Sequence, residues 1–175
     1  MALDRLWAGW RGEYVAGTAD PPGEGCVLCR ILAGPPEEDE ERGVVWRGSR
    51  CAVVLNAYPY TTGHVMVLPL RHVGELEDLD GDESAALWGA AVDAVAALKA
   101  AYRPGGVNVG LNLGKAAGGS ISEHLHVHVV PRWTGDGNFM TAIANARTLP
   151  EPLADSAGRI RAAWPSRAPS GAQPQ

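Results

Sequence analysis

Long apolar runs are missing from this 175-residue chain: no stretch approaches the roughly 20 consecutive apolar residues that a membrane-spanning helix requires. Cationic excess is missing too. Lys and Arg number 15 against 20 Asp and Glu, for a formal charge of −5, which argues against a nonspecific nucleic-acid binder, whose cations must neutralise phosphates. Small charged ligands remain open to it. The opening Met1-Ala-Leu-Asp-Arg-Leu-Trp7 lacks the apolar core of a secretory signal, so the sequence leads us to expect a cytoplasmic protein with neither membrane nor nucleic acid as partner. Only three cysteines are present, too few for a disulfide framework. Histidine is also scarce, at five in the whole chain, and its distribution is the most informative feature present.

Three of those five, His124, His126 and His128, fall within five residues as His-Leu-His-Val-His. In an extended strand alternate side chains share a face, so the imidazoles line one side while Leu125, Val127 and Val129 fill the other. Histidine titrates near neutrality and serves as nucleophile, proton carrier or metal ligand. A row of three therefore fits phosphate handling or metal binding better than a solvent face. Upstream, Val107 to Leu113 is an apolar stretch that predicts a strand, and Gly114 to Ser120 a tight loop. In that loop Gly118 and Gly119 let the backbone approach a ligand, and Ser120 adds a hydroxyl and an amide, a combination able to cradle an anion. A single metal shared by all three imidazoles is disfavoured, because same-face residues on a strand stand roughly 6.5–7 Å apart at the backbone.

Elsewhere the pattern predicts an α+β domain with a mostly antiparallel sheet and one long helix. Strands are expected at Val44 to Trp46, Cys51 to Leu55 and Val65 to Leu68, with turn chemistry in Tyr58-Pro-Tyr-Thr-Thr-Gly63. Leu87, Ala91, Ala94, Val95 and Leu98 recur at helical spacing, with Asp82 as the expected N-cap and Pro104-Gly-Gly106 as the stop. The acidic run Glu37 to Glu41 reads as an exposed loop. Residues 1–25, with Trp7, Trp10 and Tyr14, read as an aromatic docking segment, 26–140 as the domain proper, and 141–175 as an irregular extension ending in a flexible Pro/Ser/Gly tail. Cys51 reads as a small hydrophobe in its strand. The Cys26-x-x-Cys29 pair is open to three readings: a redox pair, half of a tetrahedral zinc site, or plain reduced thiols.

The segment His124-Leu-His-Val-His-Val-Val-Pro-Arg132 resembles the motif of the histidine triad (HIT) superfamily of nucleotide hydrolases and transferases, with a likeness running from about Cys26 to Phe139. Asn112, Gly118-Gly-Ser120, Glu123 and Trp133-Thr-Gly-Asp-Gly-Asn-Phe139, together with Arg5-Leu-Trp and the run from Leu55-Asn to Gly-His64, are more similar still to the bacterial diadenosine tetraphosphate (Ap4A) phosphorylases of that superfamily. The resemblance implies a HIT-like fold, a homodimer, and His126 as nucleophile toward the α-phosphorus of a dinucleoside polyphosphate. It implies that His128 stabilises the reacting phosphoryl group, that His124 orients the neighbouring imidazoles, that Asn112, Gly118, Gly119 and Ser120 hold phosphate oxygens, and that Asn56 meets the ribose. His64 is expected in a structural hydrogen bond. Cys26, Cys29, His72 and His124 would hold a structural zinc, while the chemistry itself requires no cofactor. Inorganic phosphate is the expected acceptor, and Lys115 and Arg132 are the cations near enough in sequence to meet it. The competing readings are a HIT-type hydrolase of dinucleoside polyphosphates or nucleoside phosphoramidates, and a noncatalytic nucleotide-binding or zinc-stabilised interaction module, against which the intact His126 argues.

Overall fold

The computed structural model describes residues 25–119, 121–137 and 151–166. Trp7, Trp10, Tyr14, Ser120, Phe139 and the tail beyond Ser166 lie outside the described residues. A short helix α1 (Val27–Leu32) leads into strands β1 (Val44–Arg47), β2 (Cys51–Leu55) and β3 (Val65–Pro69). The long helix α2 (Gly81–Tyr102) then crosses the sheet, followed by β4 (Gly106–Leu111), β5 (Val127–Arg132) and a last helix α3 (Leu153–Ala162). The five strands lie in the order β1-β2-β3-β5-β4 and every pairing is antiparallel.

Alternation within each strand sorts the side chains into two layers. Val53 on β2, Val65 and Val67 on β3, and Val127 and Val129 on β5 meet Leu87, Ala90, Ala91, Ala94, Ala97 and Leu98 of α2 in one core. The small alanines let the helix lie close to the sheet, and this apolar stripe explains why a helix long and apolar enough by composition to cross a bilayer instead packs on the sheet. Cys51 lies in the same layer as the small buried residue expected, its thiol pushed up to about 11 by burial. On the opposite face Val54, Met66 and Leu68 pack with Val44 and Leu28 of α1 in a second, smaller cluster.

The long helix starts two residues earlier than expected. Asp80, not Asp82, is the N-cap: its side chain accepts from the Glu83 amide at 2.7 Å while Glu83 accepts from the Asp80 amide at 3.0 Å, a reciprocal capping box. Glu83 also takes Arg71 in a two-point ion pair that holds its carboxyl down to about 2.

The chain beyond Arg132 is less irregular than its composition predicts. Helix α3 buries Ser156, Ala157 and Ile160, Trp164 stacks on Trp46 at 5.4 Å, and Arg161 Nη2 donates to the Val44 carbonyl at 2.8 Å. The 153–162 stretch hides its apolar pattern behind four charged or polar residues and a glycine, so the buried face rests on few positions. The acidic run is likewise partly engaged: Glu38 holds Arg42 and Asp39 holds Arg47. Because Ile160 is fully buried, Ile160→Ala is expected to cost about 3 kcal/mol of stability, read by urea unfolding, with the near-ultraviolet dichroism of the Trp46–Trp164 pair lost in the same variant.

Candidate active site

Strand β5 runs between β3 and β4, so His128 sits mid-sheet, opposite Met66 on one side and Gly110 on the other. It points to the face away from α2. A Cβ added at Gly110 would meet nothing within 4 Å, so a gap stands open beside this imidazole. The strand is shorter at its start than the alternation predicts. The β3–β5 ladder stops at Val67 opposite Val127, leaving His124, Leu125 and His126 ahead of β5. Pro69 offers no amide to extend the ladder, and its carbonyl accepts instead from His124 Nε2 at 3.0 Å. Alternation nevertheless holds through the lead-in: Leu125 joins the core with Val127 and Val129, and the His126 and His128 rings meet edge to face at 4.8 Å.

Hydrogen bonds fix the proton on each ring. His126 Nδ1 lies 2.8 Å from the His124 carbonyl, which can only accept, so Nδ1 carries the hydrogen and Nε2 keeps its lone pair. The backbone amide of Tyr60 donates to His64 Nδ1 at 3.1 Å. His64 Nε2–H therefore donates to His128 Nδ1 at 3.0 Å, and His128 Nε2 bears the remaining hydrogen. Asn112 Nδ2 lies 3.3 Å from that nitrogen; both atoms are donors in this tautomer, so they converge without bonding each other, an arrangement that suits an acceptor oxygen between them. The result is one imidazole with a free lone pair beside another presenting an N–H, a pairing able to attack a phosphoryl group and hydrogen-bond its oxygen.

Both rings are held neutral. Burial pushes the His126 value below the ordinary histidine range against the raising effect of its bond to His124, and burial, with the neighbouring His126, brings His128 down to about 4. A neutral imidazole is the nucleophilic form.

The loop from Gly114 to Gly119 follows β4 as predicted, with a turn of 3-10 helix at Lys115–Ala117 and a left-handed Gly118 at φ 93°. A Cβ at Gly119 would stand 2.9 Å from the Asn112 carbonyl, so only glycine lets this loop pack against the strand end that carries Asn112. Ser120 lies outside the described residues. Of the two cations, Arg132 is committed to Asp136 through two bonds of 2.6 and 2.7 Å and reaches Asn108 as well; Lys115 is exposed on the loop. Asn56 does what an Asn in a turn often does, its Oδ1 accepting from the Tyr58 amide at 2.8 Å, while its Nδ2 lies beside His64 and Met66.

The other half of the motif lies at the far end of β3. Cys26, Cys29, His72 and His124 each bring one ligand atom to within 4.8 Å of the others. The Cys26 and Cys29 sulfurs both lie 3.4 Å from His124 Nδ1, and Cys29 lies 3.2 Å from His72 Nδ1. A tetrahedral zinc with ordinary bond lengths separates sulfur and nitrogen ligands by about 3.6 Å, so the set fits that ion closely. His124 Nε2–H is tied to the Pro69 carbonyl, leaving Nδ1 as its ligating atom, the supporting bond that metal-binding histidines use. Helix α1, which the sequence reading did not assign, is what turns Cys26 and Cys29 to one side. His124 thus belongs to this cluster by its ring and to the reactive pair by its carbonyl.

Tyr60 was not singled out as a site residue by the sequence, although its ring stacks on His64 at 4.7 Å and stands 6.0 Å from His128.

The depressed His128 value has a measurable sign. Between about 4 and the ordinary 6.5 the unfolded chain takes up a proton that the folded protein refuses. Stability is therefore expected to be undiminished by this group above about pH 6.5 and to fall as pH drops toward 4. Denaturant midpoints across that window check this, and the His128 ring resonances are expected to stay flat through pH 6.5, where a solvent-exposed histidine titrates.

Comparison with known proteins gives the same reading of the motif. The family model described as HIT domain matches residues 37–135. A Mycobacterium tuberculosis protein named AP-4-A phosphorylase is 46% identical over 165 residues, covering 93% of this chain and 85% of that protein. Protein hit of Bacillus subtilis is 33% identical over 116 residues, 65% of this chain and 76% of its own length. Among solved structures, a zinc-bound histidine triad family protein from Mycobacterium smegmatis aligns with a TM-score of 0.63 at 28% identity, over 79% of this chain and 92% of that one. The sheet order, the paired imidazoles and the sequence likeness across most of the length agree: this chain belongs to the HIT domain family.

Proposed function

We propose that this protein is a nucleotidyltransferase that cleaves dinucleoside polyphosphates, diadenosine tetraphosphate among them, by phosphorolysis through a covalent nucleotidyl-His126 intermediate. The observation that carries the proposal is the bond from His126 Nδ1 to the His124 carbonyl, which leaves Nε2 as a fixed, unprotonated nucleophile. In the first step Nε2 attacks the α-phosphorus, an N–P bond forms, and the bond to the bridging oxygen breaks, releasing the rest of the substrate as a nucleoside triphosphate when four phosphates are present. In the second step an oxygen of inorganic phosphate attacks the same phosphorus, the N–P bond breaks, and a nucleoside diphosphate leaves with His126 restored. His128 Nε2–H, Asn112 and the amides of Gly118 and Gly119 stabilise charge on the phosphoryl oxygens. Asn56, with Ser120 on the loop, completes the nucleotide contacts through the ribose and a phosphate oxygen. Phosphate as acceptor is supported by the name of the Mycobacterium tuberculosis relative.

Zinc, held by Cys26, Cys29, His72 and His124, is structural in this reading: four protein ligands close its coordination sphere. When bound it supplies rigidity and takes no part in the displacement. The molecule acts as a homodimer; Trp88 and Val92 on α2 and Val109 on the edge strand β4 are large apolar side chains left exposed, a surface suited to a second copy.

His126→Ala is expected to lower turnover by more than about a thousandfold with nucleotide affinity kept within about tenfold. Mass spectrometry of wild-type protein quenched with substrate is expected to place a nucleotidyl adduct on the peptide carrying His126. Titrating phosphate then separates the acceptors: nucleoside diphosphate rising with phosphate supports phosphorolysis, and nucleoside monophosphate at every phosphate level returns the protein to the hydrolases.

Removing the metal has its own expected signature. Cobalt(II) added to the stripped protein is expected to give visible absorption of a tetrahedral thiolate site, absent from Cys29→Ser. Stripping is expected to lower thermal stability and, because His124 carries the carbonyl that holds His126, to reduce kcat more than it raises KM.

A further inference from the structure

Tyr102, the last residue of α2, is held by a carboxylate 49 positions further along the chain. Its hydroxyl donates to Glu151 Oε1 at 2.5 Å. The same carboxyl accepts from Ser156 Oγ at 2.7 Å and pairs with Arg159 at 3.0 Å, with its side chain only 14% exposed. Arg159 also lies over the Tyr102 ring, 5.2 Å from its centroid. Burial, reinforced by the Glu151 carboxylate, pushes the Tyr102 hydroxyl up to about 12, so it remains a donor throughout the neutral range. A hydroxyl bonded to a carboxylate at this distance is among the stronger hydrogen bonds a protein makes, and the ring is fixed by it.

The ring is fixed against the turn that carries His64. A Cβ at Gly63 would stand 2.9 Å from Tyr102 Cε2 and 3.2 Å from Leu98 Cδ2, and Gly63 has φ 80°, so both the contact and the backbone require glycine here. The turn is tied to β5 as well, where the Thr61 hydroxyl donates to the Pro131 carbonyl at 2.7 Å. His64 follows Gly63, is fully buried, and donates from Nε2 to His128 Nδ1 at 3.0 Å. A hydrogen bond between two rings depends on the angle of each. Movement of the backbone at Gly63 therefore reaches the bond that decides where His128 carries its hydrogen.

We propose that Tyr102, anchored by Glu151, is a positioning residue for the reaction: its ring backs the Gly63–His64 turn and so maintains the bond that leaves the hydrogen of His128 on Nε2. The proposal rests on the nucleotidyl-transfer reading above and adds to it a residue that acts through Gly63 and His64. Helix α3 and the Glu151 that precedes it thereby support the site from behind.

Nitrogen-15 NMR of ring-labelled histidine tests this without turnover, since protonated and unprotonated ring nitrogens resonate far apart. Wild-type protein is expected to show His128 with its hydrogen on Nε2 alone. Tyr102→Ala is expected to give a mixture of both tautomers at His128 and to lower kcat about tenfold with KM held within about twofold. Tyr102→Phe, which keeps the ring against Gly63 and gives up the bond to Glu151, is expected to keep the single tautomer and about a third of kcat. Val53→Ala, a core truncation on β2, is expected to lower stability and leave both readouts unchanged in the folded protein. Glu151→Gln, which keeps the shape of the anchor and removes its charge, carries the test if Tyr102→Ala does not fold, with about a threefold loss of kcat at constant KM expected. An unmoved His128 spectrum and kcat in Tyr102→Ala, or in Glu151→Gln where it stands in, overturn the proposal, and so does an equal change in Val53→Ala. Absence of a His126 adduct in wild-type protein would count against the covalent reading alone, whereas an unmoved His128 spectrum would count against the positioning role alone.

Discussion

A single main-chain carbonyl, that of His124, joins the two chemical centres of this protein. It accepts the hydrogen of His126 Nδ1, and by doing so decides which nitrogen of that ring keeps a lone pair. The same residue commits its own ring to the cluster with Cys26, Cys29 and His72, and its Nε2 to Pro69. With the ring held at both nitrogens the peptide that follows has little freedom, so the carbonyl is presented at a fixed angle. For the transfer proposed above, a ring whose tautomer and direction are set before substrate arrives needs no reorganisation during attack.

His64 performs the matching service for His128. A backbone amide is an obligate donor, so the contact from Tyr60 makes His64 Nδ1 an acceptor and passes the hydrogen bond onward to His128. His126 and His128 therefore differ in role although they share a type and a depressed protonation range. One offers a lone pair and the other a hydrogen. Burial keeps both uncharged, which suits the attack proposed for the first and avoids repulsion between two imidazolium ions at 4.8 Å.

The helix and the sheet serve this arrangement by separating layers. Valines of β2, β3 and β5 face the alanine-rich side of α2, so the alternate positions, Met66 and His128 among them, are directed to the other face. A shift of β5 by one residue would send His128 into the core and Val129 into the site. Valine on one face and histidine on the other make that shift costly, and the apolar core thereby sets the register of the face that carries His128.

Much of this was legible in residue order. Alternation from Leu125 to Val129 shows that the imidazoles share a side, Gly118-Gly119 marks a loop of close approach, and the valine-rich runs announce β2 and β3, because period-two patterning depends on neighbours in sequence alone. The α2 boundary was harder to place, since Asp80 and Asp82 are both good caps and only the reciprocal bond with Glu83 separates them. Helix α3 escaped notice because its stability comes from Trp46, Val44 and α2 and little from its own pattern. The start of β5 was misjudged because its limit is imposed by Pro69 on another strand. Composition and spacing put forward the candidate reactive groups. The choice of lone pair on His126, the hydrogen on His128, the joining of Cys29 to histidines 43 and 95 positions away and of Cys26 to one 98 positions away, and the placing of Tyr60 against His64 came only with the fold, because each is decided by a hydrogen bond or ring contact that sequence alone does not reveal.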